Sequence, residues 1–238
     1  MAQSLPLPKS DIELTEWRAV ASMIDHTLLK PESTRERVRA LCQEAIHFGF
    51  ASVFVHPCHV ALAADLVCGT SVKAGTPIGF PQGATLSSVK QFEASEVLRL
   101  GAGELDMVIN LAALKSGDTS LVESDIRGVV EVAHGADVLL KVILETALLT
   151  RPEKILACQL SQAAGADFVK TSTGLVGGAT VEDVALLRSI VGSRAGVKAS
   201  GGIRTLSELT AMARAGASRI GTSSAVNIMR ELQAPMLP

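Results

Sequence analysis

The chain has no tyrosine, one tryptophan and six phenylalanines in 238 residues, so aromatics make up only 3%. Its core must be filled with Val, Leu, Ile and Ala, the packing found where helices cover a buried parallel sheet. Blocks of one charge are missing too. The 22 basic and 24 acidic residues leave a net charge of -2, which argues against a nucleic-acid partner or a membrane-surface role. No apolar run approaches the roughly 18 residues a membrane span needs, and the most apolar stretch, 50–64, is broken by His56, Pro57 and His59. The N-terminus lacks a basic segment leading into an apolar one, so no signal peptide is expected. The four cysteines, Cys42, Cys58, Cys68 and Cys158, form no C-x-x-C pair. They read as reduced, buried thiols of a cytoplasmic protein. Disorder is excluded by 47% hydrophobic and only 19% charged residues.

What is present is alternation. Short β-branched runs centre on 23–24, 52–55, 77–79, 106–109, 139–143, 168–170, 196–199 and 219–221, separated by amphipathic segments. The spacing is that of one strand–helix unit. Thr180-x-x-Asp183 and Thr205-x-x-Glu208 predict capping boxes, and Thr150 before Pro152 predicts a third helix start. Gly49, Gly101, Gly165 and Gly216 punctuate helix ends. An extra helix is expected over 11–21, ahead of the first strand. Eight such units without a linker predict one domain over 1–238, a closed (β/α)8 barrel. An open doubly wound sheet would want G-x-G-x-x-G after its first strand, where this chain has Asp25-His26-Thr27.

In such a barrel reactive groups sit at the C-terminal ends of strands. Asp25 is expected to end strand one, and Asp106 lies in strand four. Lys141, Lys170 and Lys198 fall in strands five, six and seven. Lysine is almost never buried without a partner, and a closed barrel has no edge to host three of them, so the lumen is their expected place. A second ammonium about 4–5 Å away at an effective dielectric of about 20 lowers a lysine pKa by roughly 2–3 units. Desolvation pushes the same way. The pairing of Lys170 with Lys198 thus predicts that one of the two is an amine titrating near neutrality, able to form a Schiff base, with Asp106 as a candidate proton shuttle. Gly201-Gly202 after strand seven and Gly221-Thr222-Ser223-Ser224 after strand eight predict a phosphate site at helix N-termini, with Gly174 adding a donor. His56-Pro57-Cys58-His59 is the nearest thing to a ligand cluster, but no H-x-H or H-E-x-x-H accompanies it, so no metal and no other cofactor is expected.

Seven phrases resemble the 2-deoxyribose-5-phosphate aldolase family: Ile-Asp-His-Thr-Leu-Leu-Lys-Pro (24–31), Gly-Phe-Pro-Gln-Gly-Ala (79–84), Glu-Leu-Asp-Met-Val-Ile-Asn (104–110), Leu-Lys-Val-Ile-Leu-Glu-Thr (140–146), Phe-Val-Lys-Thr-Ser-Thr-Gly (168–174), Val-Lys-Ala-Ser-Gly-Gly-Ile-Arg-Thr (197–205) and Ile-Gly-Thr-Ser-Ser (220–224). The resemblance implies a metal-independent class I aldolase, a carbon–carbon lyase of deoxyribonucleotide breakdown. Its partners would be small phosphorylated sugars and aldehydes, and its assembly a homodimer. Lys170 matches the Schiff-base lysine, Lys198 the lysine that tunes it and Asp106 the proton relay. Asp25, Thr27, Lys141 and Thr171 match supporting positions. Gly174, Gly201, Gly202, Gly221, Ser223 and Ser224 match the phosphate site. The chain departs from the family in three ways: Phe54 where a cysteine is usual, Gln82 where an apolar residue is usual, and no C-terminal tyrosine, which leaves water to carry the proton at the enamine.

Overall fold

The computed structural model describes residues 16–233. Eight parallel strands close on themselves in chain order: β1 Ile24–Leu28, β2 Ser52–Val55, β3 Lys73–Ile78, β4 Glu104–Val108, β5 Leu139–Ile143, β6 Phe168–Lys170, β7 Gly196–Ser200 and β8 Arg219–Thr222. Closure is made by β1 against β8, with Asp25 opposite Gly221. The expected closed barrel is therefore observed.

The helices form where caps and apolar periodicity agree. Thr119–His134 starts at Asp118, whose carboxylate accepts from the Leu121 N–H at 3.0 Å, and it buries Val122, Ile126, Val129, Val130 and Ala133. That spacing lays one apolar stripe against the sheet. Thr205 and Glu208 form the expected capping box. Thr180 forms half of one, because the Asp183 carboxylate is drawn 2.5 Å from Lys154 Nζ instead of back to the cap. Gly49, Gly101, Gly165 and Gly216 all have positive φ, as the helix-to-strand junctions require.

Several expectations change. β1 runs on to Leu28, so Asp25 is its second residue and not its end; polar lumen residues imitate a strand terminus in the sequence. β3 spans Lys73–Ile78, so it is centred earlier in the chain than the expected 77–79. Gly75 belongs inside it because the Phe54 ring fills the place of a side chain: a Cβ there would lie 2.5 Å from Phe54 Cε2. Gly75→Ala is expected to lower stability by about 1–3 kcal/mol through overpacking, read as the urea midpoint. An unchanged midpoint would mean that the ring moves aside freely. Two of the four thiols, Cys58 and Cys68, are exposed. Of the extra helix only Trp17–Ala21 is seen, against the last helix Ala225–Gln233, and residues 11–15 lie outside the described residues. Trp17 itself is 40% exposed. Among the described residues no helix is long and apolar enough to cross a membrane.

Candidate active site

Alternation along the strands sends every second side chain inward. Glu104 and Asp106 on β4, Lys141 on β5, Lys170 on β6, Lys198 on β7, Arg219 on β8 and Asp25 on β1 meet in one buried network. Lys170 and Lys198 are directly opposed across β6 and β7, and Asp106 opposes Lys141 across β4 and β5. Asp106 is the centre. Its Oδ2 lies 2.8 Å from Lys170 Nζ and 2.7 Å from Lys198 Nζ, and its Oδ1 lies 3.0 Å from Lys141 Nζ. One oxygen shared by two ammonium groups keeps them within Coulombic reach of each other. Deeper in the barrel, Lys198 also meets Asp25 Oδ2 at 2.6 Å, Arg219 spans Asp25 and Glu104, and Ser52 donates to Asp25 at 2.5 Å.

Four cations face three carboxylates, so the network carries one unbalanced positive charge. Burial works to raise the Asp106 pKa, yet Lys141, Lys170 and Lys198 outweigh it and hold the carboxyl well below the usual range. Asp25 is likewise held low against burial, by Arg219 and Lys198 first. Burial opposes the charge on Lys141, but Asp106, Glu104 and Asp25 win and raise its pKa. The deficit falls on Lys198. Burial first, then Lys170 and Lys141, push it down to about 8 against the pull of Asp106 and Asp25. Lys198 is the more enclosed of the pair, 1% exposed against 4% for Lys170.

Phe54 lies under this cluster, where the resemblance led to a cysteine. Its ring centroid is 3.8 Å from Lys198 Nζ, 4.8 Å from Lys141 Nζ and 5.8 Å from Lys170 Nζ. The ring is 1% exposed and floors the lumen. It thus alters the electrostatics beneath the site through its π face and leaves the pocket outline alone.

Above the network a cavity of about 620 Å³ opens at the C-terminal end of the strands. Of the three lumen lysines only Lys170 lines it. Thr27 lines it too, its hydroxyl donating to the Asp25 carbonyl at 3.0 Å. Thr171 does not: it is buried and ties β6 to β7 through the Ser200 backbone, donating to its carbonyl at 3.2 Å and accepting from its N–H at 3.1 Å. Lys141, fully buried, is a counter-ion below the cavity. Gly174, Gly201, Gly202, Gly221, Ser223 and Ser224 are all at its wall. Gly221 sits inside β8 and not in the loop after it; a Cβ there would meet Ser200 Oγ at 2.3 Å and Lys198 Cε at 3.1 Å. The Ser224 N–H is already donated to Thr222 Oγ1 at 2.9 Å, which leaves its hydroxyl for a ligand.

His56 and His59 donate to the carbonyls of Leu29 and Ser33, both at 3.1 Å, and pin the segment after β1. Among the described residues no three His, Cys, Asp or Glu side chains gather as a metal site. His26 points out of the lumen, edge-on to Phe50 at 5.4 Å and donating to Glu44 at 2.6 Å. Gln82 is exposed and away from the cavity wall. Sequence reasoning missed Glu104, Arg219 and Ser200. The first two stand two residues from Asp106 and Gly221, the period that shares a strand face. Ser200 Oγ is buried at the cavity wall with no partner among the described residues.

The chain is similar in sequence and fold to known proteins. The model of the DeoC/LacD family aldolases matches residues 19–231. Deoxyribose-phosphate aldolase of Geobacillus sp. (strain WCH70) is 57% identical over 211 residues, 88% of this chain and 94% of that protein. The enzyme of that name from Streptococcus sanguinis (strain SK36) is 58% identical over 208 residues, 87% of this chain and 94% of its own. The tetrameric deoxyribose phosphate aldolase of Aeropyrum pernix superposes with a TM-score of 0.86 at 38% identity, over 92% of this chain and 93% of that one. A closed barrel with lysines in its lumen, a family match over nearly all the described residues and relatives of such identity lead to one conclusion: this chain belongs to the DeoC/LacD family of aldolases.

Proposed function

We propose that the protein is a deoxyribose-phosphate aldolase that cleaves 2-deoxyribose 5-phosphate reversibly to glyceraldehyde 3-phosphate and acetaldehyde through a Schiff base on Lys170. One observation carries the reading: Lys170 is the lumen lysine that opens into the cavity, and it shares Asp106 Oδ2 with Lys198. In this reading Lys198 accepts a proton from Lys170 across that oxygen. The freed amine adds to C1 of the open-chain sugar, and the carbinolamine hydroxyl leaves as water with the proton that Lys198 returns, giving an iminium and a neutral Lys198. Water held between Asp106 and Lys198 relays the C3 hydroxyl proton to the neutral Lys198, the C2–C3 bond breaks, and its electron pair passes into the iminium as an enamine. Glyceraldehyde 3-phosphate leaves. The enamine is protonated at C2 by water, and hydrolysis of the new iminium releases acetaldehyde. Asp106, held so far below its ordinary pKa, is a fixed anion and a poor proton store. Lys198, at about 8, is matched to exchanging protons near neutrality. The glycines and hydroxyls at the far wall would take the phosphate.

The test is cleavage of 2-deoxyribose 5-phosphate, with borohydride added during turnover. A covalent adduct mapped to Lys170 is expected; product formation without an adduct would remove the Schiff base. We further propose a homodimer, although the Aeropyrum pernix relative is tetrameric, a cytoplasmic setting and a place in deoxyribonucleotide breakdown.

The pH dependence follows from Lys198. Below about 8 it holds its proton, so kcat/KM should rise nearly tenfold per pH unit and level off above that inflection. Stability follows the same group. The unfolded chain binds this proton up to about 10.5 and the folded chain to about 8, so the contribution of Lys198 to stability increases between those pH values. A flat kcat/KM from pH 6 to 9 would exclude Lys198 as the proton acceptor.

A further inference from the structure

Glu145 takes no part in the mechanism above, yet its geometry is unusual. It follows β5 with φ 55° and ψ 61°, a left-handed conformation that is rare for a residue with a side chain. The cause is a local step in the pairing with β6. The Leu144 N–H donates to the Lys170 carbonyl and the Thr146 N–H to the Thr171 carbonyl, both at 2.9 Å. Two residues advance on one side while one advances on the other. Such a bulge re-aims the side chain of the extra residue, and strained backbone of this kind clusters at functional sites.

The side chain is re-aimed at the loop after β6. Glu145 is 2% exposed. Its carboxylate accepts from the Thr173 N–H at 3.3 Å and 3.4 Å and closely from the Thr173 hydroxyl. The hydroxyl oxygen in turn accepts from the Leu175 N–H at 3.2 Å, so its proton is directed at Glu145. These hydrogen bonds hold Thr173 by both its backbone N–H and its side chain. Gly174 comes next, with φ 87°. Beyond it the loops after β6 and β7 touch backbone to backbone. A Cβ on Gly201 would lie 3.2 Å from Gly174 Cα and 3.0 Å from Gly178 Cα, and the Ala179 N–H donates to the Gly201 carbonyl at 3.0 Å. Thr173, Gly174 and Gly201 all line the cavity.

We propose that Glu145 is a positioning residue: by clamping Thr173 it sets the Gly174–Gly201 contact, and so the cradle for the phosphate of a phosphorylated substrate. The inference rests on the aldolase reading above. The clamp is separable from the reacting amine, because Lys170 is fixed by β7 and Asp106. Losing the clamp displaces the phosphate end and leaves Schiff-base formation in place.

The test compares wild type with Glu145→Gln, which puts an NH2 group where a Thr173 donor points, and with Glu145→Gly, which adopts the same φ without strain and removes the carboxylate. Each is assayed with 2-deoxyribose 5-phosphate and with unphosphorylated 2-deoxyribose, alongside acetaldehyde trapping by borohydride. The expected result for both variants is a rise of roughly tenfold or more in KM for the phosphorylated sugar. The kcat/KM for the unphosphorylated sugar and the yield of trapped adduct should stay within about twofold of wild type. Equal losses on both sugars would make Glu145 a general structural residue, and an unchanged KM in the glycine variant would show that the carboxylate clamps nothing; either result overturns the proposal. A wild-type protein that neither cleaves nor traps would instead overturn the aldolase reading on which it stands.

Discussion

Lys170→Ala is expected to lower kcat for cleavage of 2-deoxyribose 5-phosphate by roughly four orders of magnitude or more, the usual consequence of deleting a covalent nucleophile. Borohydride should then trap no adduct. The variant should fold at least as well as wild type. Lys170 makes one ion pair, to an Asp106 oxygen that Lys198 still occupies, and its removal balances a network with one cation too many. An unchanged or slightly raised Tm together with lost activity separates a chemical role from a structural one. A trapped adduct in this variant would move the Schiff base to another lysine. Lys30, which also lines the cavity, would be the first alternative; Lys198 and Lys141 do not line it.

Asp106→Asn tests the other half of the arrangement. The substitution keeps shape and removes the anion that faces all three lysines. Breaking a buried ion pair by removing one partner costs about 3–5 kcal/mol, a large part of the 5–15 kcal/mol typical of a folded domain. The urea midpoint should fall accordingly, and kcat by roughly 10²–10⁴. Losing the upward pull of Asp106 should also move the Lys198 inflection below 8, since that carboxylate is the largest force raising it. Wild-type stability with an unmoved pH profile would show that the three ammonium groups find other partners, and the network as described would be wrong.

The two halves of the site differ in how readable they are. Lys141, Lys170 and Lys198 announce themselves because an ionisable residue inside a β-branched run breaks a local rule. Gly201-Gly202 and the Thr205 cap read equally well, since loop and helix start are adjacent in the chain. Asp25 was misplaced within its strand because inward polar residues look like the end of one. Glu104 and Arg219 went unnoticed for a different reason. They lie 115 residues apart, and Arg219 and Asp25 lie 194 apart. No local pattern links them until the barrel closes. Glu145 lies within Leu-Lys-Val-Ile-Leu-Glu-Thr (140–146), but its left-handed backbone is not encoded in residue type.

Composition and periodicity alone determined the barrel, its strand order and the presence of lysines on three neighbouring strands, because those depend on which residues recur every second or every third and fourth position. Closure decided the rest. Only when β8 meets β1 do four cations and three carboxylates share one buried volume, and only then does burial bear on Lys198 while Lys170 faces the cavity. Both outcomes depend on burial and on distances across the lumen, and these exist only in the folded chain.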